Sequence, residues 1–206
     1  MPAYFTIDIV FDRNSITDHT VDELSFYLKH AALKFREVYG GKEMTEKDMI
    51  VRNQELLEKD FSLAPDQDKS EDYVQAIYDM FGFSGVRGFF INNFPENGEF
   101  TFELLIPEEE VLRKEAYTIR KEAADQILHL ITNIWHMPSV LTIQTSTELR
   151  GETVSSAKFG EWKLPAANPY ALVSEIQLKN IKTEGYDVRK FHVGGIILTS
   201  RKYMFD

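Results

Sequence analysis

The chain has 206 residues, 43% of them hydrophobic and 13% aromatic, which is enough apolar material to bury a core and excludes disorder over most of its length. It carries a formal net charge of −10 and no cysteine, so disulfides, thiolate metal sites and cysteine nucleophiles are excluded. The charge is uneven: residues 1–149 hold 14 Lys and Arg against 27 Asp and Glu, whereas residues 150–206 hold 9 against 6.

The first element expected is a strand over residues 4–12, YFTIDIVFD. Phe5, Ile7, Ile9 and Phe11 alternate with Thr6, Asp8, Val10 and Asp12, the pattern of a strand with one buried side. Thr20 and Glu23 have capping-box spacing ahead of Val21, Leu24, Leu28, Ala31, Phe35 and Val38, which predicts one helix running to Gly40-Gly41. Thr45 with Asp48 announces a second helix, and Ser70 a third over SEDYVQAIYDMFG, so residues 41–82 read as a helical insertion.

VRGFFINNF (86–94) and GEFTFELLI (98–106) then form a predicted hairpin around PEN. Pro107 and the acids Glu108, Glu109 and Glu110 open a long helix that reaches about Trp135 and is stopped by Pro138. A strand is expected over SVLTIQTST, residues 139–147. The resulting order is the split βαββαβ order of ferredoxin-like folds: an α+β core domain over residues 1–149, with an antiparallel sheet packed by helices and a helical insertion in the first crossover. Residues 150–206 read as a β-rich extension of the same sheet, with strands at 171–179 and 186–200 and a bulge at Gly194-Gly195.

Few residues point to chemistry. Asp8 and Asp12 share the polar face of the first strand, but four residues of extended chain put them about 13 Å apart, too far to bind one ion together. They are expected on a solvated or salt-bridged face. A catalytic set would have to be noncontiguous, drawing on Asp8, Asp12, Glu103 and His192. The histidines lack HxxxH, HxH and HExxH spacing, so no metal site and no cofactor is expected. GxxxxGK[ST], GxGxxG and GxSxG are absent too. Trp162, flanked by lysines in KFGEWKLP, is a candidate interface anchor, with Arg189 and Lys190 as basic binding candidates.

An acidic body disfavours nucleic acid and favours a protein partner or self-association. No signal peptide or membrane span is recognised, so the expectation is a cytoplasmic protein with no membrane contact. Together these features point to a noncatalytic acidic binding or regulatory protein of the immunity, antitoxin-like or host-interaction type. The alternative is a palm-like enzyme that uses Mg²⁺ or Mn²⁺ to act on a nucleotide or phosphate ester.

Overall fold

The structure is a computed structural model and describes residues 3–41, 43–62, 72–113, 118–147, 152–160, 163–191, 194–203 and 205. Nine strands form one antiparallel sheet: β1 (Tyr4–Asp12), β2 (Lys34–Val38), β3 (Ala76–Met80), β4 (Phe83–Phe94), β5 (Glu99–Pro107), β8 (Val140–Thr147), β9 (Tyr170–Ser174), β10 (Tyr186–Lys190) and β11 (Gly195–Ser200). Two short strands, β6 (Leu112–Arg113) and β7 (Thr118–Ile119), pair separately. The order across the large sheet is β10-β11-β9-β8-β1-β5-β4-β3-β2, which places β1 at its centre.

A nine-stranded antiparallel sheet replaces the expected ferredoxin-like βαββαβ core. Two stretches with helical spacing are in fact strands. Helix α1 (Thr20–His30) stops because Ala32 takes a left-handed backbone with φ 67, and the chain turns through Leu33 into β2 instead of continuing to Gly40. Ala76, Tyr78 and Met80 alternate into the core as β3, so the helix expected over this segment is absent; residues 63–71, where it would begin, lie outside the described residues. These strands extend the β4–β5 hairpin and double that side of the sheet.

The long helix also divides. Glu108–Val111 forms one turn, α3, and the main helix α4 covers only Lys121–Ile134. Beyond β9, the Ser174 hydroxyl and the Gln177 side chain close a capping box that starts α5 (Glu175–Leu178), so the expected strand ends early. Gly194, at φ 70, lies in the turn between β10 and β11 and not in a bulge within one strand. The second insertion helix holds as α2 (Glu46–Ser62), with Thr45 and Asp48 capping each other.

The two faces of the sheet differ. Phe5, Ile7, Ile9 and Phe11 of β1 lie beside Phe100, Phe102, Leu104 and Ile106 of β5, all buried against α1, α2 and α4 in the main core. A smaller apolar cluster, including Ala171, Val173, Ile196 and Leu198, fills the opposite face at the β9–β11 end. Between them, the central part of that opposite face is polar and nevertheless buried: Asp8, Glu99, Thr101, Thr142 and Gln144 are all at most 4% exposed.

An acidic cleft as the candidate functional site

The register of β1 builds the site. Asp8 lies opposite Glu103 on β5 and opposite Gln144 on β8, so three polar side chains form a row across the middle of the sheet. Asp8 is not on a solvated face: it is 4% exposed. The Thr153 hydroxyl donates to its carboxylate, the Thr6 hydroxyl donates at 3.4 Å, and Glu103 hydrogen-bonds it side chain to side chain. Two carboxyl groups can bond each other only by sharing a proton.

The electrostatics follow. Burial pushes the Asp8 carboxyl up to about 6 despite the lowering effect of its hydrogen bonds. Burial and then the neighbouring Asp8 charge push Glu103 up to about 7, opposed by Arg87. Arg87 makes no ion pair with either acid; its guanidinium lies 4.8 Å from the Tyr39 ring, 5.5 Å from Tyr4 and 5.6 Å from Phe89. Among the described residues neither Asp8 nor Glu103 has a basic side chain at ion-pair distance.

What buries this face is a strap running from Glu152 to Phe159. Three strand side chains hold it down. Thr153 bonds Asp8; Gln144 accepts from Val154 N at 3.1 Å and donates to Val154 O at 2.7 Å. Glu99 accepts from the backbone nitrogens of Ser156 and Ala157 at 3.1 and 3.2 Å, capping a 3-10 turn, Ser156–Lys158. Above Asp8 and Glu103 the strap leaves an open cleft of about 510 Å³, bordered by Tyr4, Thr6, Asn93, Ser146, Glu152 and Thr153.

Of the residues singled out from the sequence that are among the described residues, the structure brings together Asp8 and Glu103. Asp12 is at the end of β1 and caps the next turn, accepting from Asn14 N and Ser15 Oγ at 2.9 Å each. Arg189 and Lys190 lie far along the sheet on the edge strand β10, where Lys190 pairs with Glu175 at 3.0 Å. Trp162 and His192 lie outside the described residues. Thr153, Gln144 and Arg87 were not expected at a site; the signal for Gln144 was the run of polar residues in SVLTIQTST, which an entirely exposed strand face would also give, and neither Thr153 nor Arg87 lies in a comparable pattern. Among the described residues no three His, Asp or Glu side chains are grouped to hold a metal ion, and no helix is long and apolar enough to cross a membrane.

No protein-family model matches the chain, and no curated protein matches it. Among solved structures it is similar to the Pseudomonas aeruginosa T6SS protein PA0821, at 9% sequence identity and a TM-score of 0.45, over 98% of this chain and 66% of that one.

Proposed function

We propose that this is a noncatalytic binding protein that recognises a protein partner, and that the cleft over Asp8 and Glu103 receives a basic side chain of that partner. The observation that carries this is a buried acid pair, Asp8 facing Glu103, that opens into a cleft and has no basic side chain at ion-pair distance among the described residues. An entering guanidinium or ammonium would supply the missing countercharge, displacing the pair's proton below about pH 7 and meeting two carboxylates above it, a charge-assisted contact stronger than a neutral hydrogen bond. Asp8 is engaged by Thr6, Thr153 and Glu103, which favours holding a ligand over turning one over. Immunity and antitoxin-like proteins are the type of binding protein meant.

The test is a nuclear magnetic resonance titration with acetyl-arginine amide at pH 8. Saturable shifts at the Thr6, Ser146 and Thr153 amides, lost in Glu103→Gln, are expected. Absence of shifts at these amides would overturn the proposal. The metal-dependent alternative rests on the same two carboxylates; selective broadening of these amides by Mn²⁺, lost in the same variant, would favour it instead.

A further inference from the structure

Glu152, at the rim of the acidic cleft, also lines a second and larger groove of about 910 Å³ on the same side of the molecule. One wall of this groove is the extended chain from Lys163 to Asn168, and the other carries Tyr186, Ser200 and Lys202. Its lining charges are mixed, with Glu152 and Glu184 against Lys163 and Lys202, which suits a polypeptide better than a polyanion.

The backbone at this groove is unfinished. Thr145 N donates to Ala166 O at 3.1 Å and Asn168 N donates to Thr145 O at 3.0 Å, forming a parallel bridge that brackets Ala167. A residue bracketed in this way turns its own N–H and C=O away from the partner strand. Among the described residues neither group of Ala167 has a hydrogen-bond partner, although the residue is only 5% exposed. An N–H and a C=O on one residue, both turned toward the groove, offer the donor and acceptor that an added strand would pair with.

The strand ladder explains why the slot exists. β9 and β11 pair as far as Tyr170 and Thr199, and Ser200 N still donates to Pro169 O at 2.9 Å. Beyond that point the chain after β11 turns off through Arg201, and among the described residues no strand pairs with the free side of Ala167.

We propose that the groove takes an extended segment of the partner polypeptide, hydrogen-bonded to Ala167 as a short added strand and running past Glu152 so that its basic residue enters the Asp8–Glu103 cleft. This rests on the cation-binding proposal for that cleft and extends it to the partner's backbone.

The probes are acetylated octapeptide amides in a Thr-Ser-Val host, with one arginine walked through the eight positions, compared with acetyl-arginine amide. The best peptide should bind about 100-fold tighter than the amino-acid amide, as two or three extra backbone hydrogen bonds allow. It should also slow hydrogen exchange at Ala167 N–H, and N-methylation at one alternating set of its amides should abolish the gain.

If acetyl-arginine amide titrates the cleft while no octapeptide binds more tightly and Ala167 exchange is unchanged, the added strand is wrong and the cation site stands. If peptides protect the edge strands β2 or β10 in place of Ala167, the groove is the wrong surface. Protection of Ala167 in peptide-free protein that rises with concentration would make a second copy the occupant and overturn the proposal. If neither probe binds, both proposals fail.

Discussion

Asp8 and Glu103 face each other directly across the β1–β5 ladder, and the two carboxyl groups are joined by a hydrogen bond at the floor of an open cleft. Like charges directly opposite in a sheet destabilise it, and a proton held between the two carboxyls below about pH 7 relieves that repulsion. Its consequence is a pH dependence opposite in sign to that of a salt-bridged carboxylate. The folded pair titrates near 6 and 7, against ordinary values of 3.8 and 4.5. Between about pH 4 and pH 7 the folded state therefore holds protons that the unfolded chain has released, and stability falls as pH rises through that window.

Asp8→Asn should remove the part of this dependence that comes from Asp8 and from its charge on Glu103, while burial keeps the Glu103 carboxyl raised. The amide keeps an acceptor for Thr153 and Thr6 and offers a donor to Glu103, so the contacts survive without the second charge. The native sequence should lose on the order of 2 kcal/mol of unfolding free energy in urea between pH 5 and pH 8 from this pair, and the variant should lose clearly less, with a shallower slope. Equal slopes in the two proteins would show that the pair does not share its proton.

Glu99 holds the strap from below. It is 2% exposed and accepts from two backbone nitrogens at the start of the Ser156–Lys158 turn. Glu99→Ala removes the acceptor of these two part-exposed donors, which water then replaces, and should cost about 1 kcal/mol in unfolding free energy. Hydrogen exchange across residues 152–158 should speed up more than exchange in α4. A uniform change across the molecule would mean that the strap has no local stability of its own.

On the helical face Gly88 is tightly packed. A methyl group there would come within 2.8 Å of Phe102, 2.9 Å of Tyr78 and 3.0 Å of Leu104, ring and side-chain atoms that are themselves packed in the core. Gly88→Ala should therefore destabilise the protein by about 1–3 kcal/mol through overpacking. Thermal unfolding checks it, and an unchanged midpoint would mean that β3 and β4 can separate without penalty.

The sequence showed β1, the β4–β5 hairpin, α2 and β8 because their apolar residues repeat at periods of two or near four, and burial enforces those repeats. It misled at Phe35 and Val38, whose spacing from Leu28 and Ala31 also fits a helix; only the left-handed turn at Ala32, a residue with no turn preference, decides otherwise. Asp8 and Glu103 were visible as acids but not as a pair, because their meeting depends on the β1–β5 register. Their burial was not visible at all. It comes from a strap about 145 residues away, with Thr153 bonded to Asp8 and no periodicity to announce it.

Arg87 offers a way to separate charge from packing at the cleft. Its guanidinium is held by the faces of Tyr4, Tyr39 and Phe89, and its charge opposes the upward shift at Glu103. Arg87→Gln removes the charge, so Glu103 should hold its proton to higher pH and the pH midpoint for acetyl-arginine amide binding should rise. Arg87→Lys keeps the charge but gives up the planar stack, so the midpoint should stay near that of the native protein while stability drops by about 1 kcal/mol. Binding curves from pH 5 to pH 9 on the three proteins check both halves. An identical midpoint in Arg87→Gln would mean that the charge of Arg87 is not felt at Glu103.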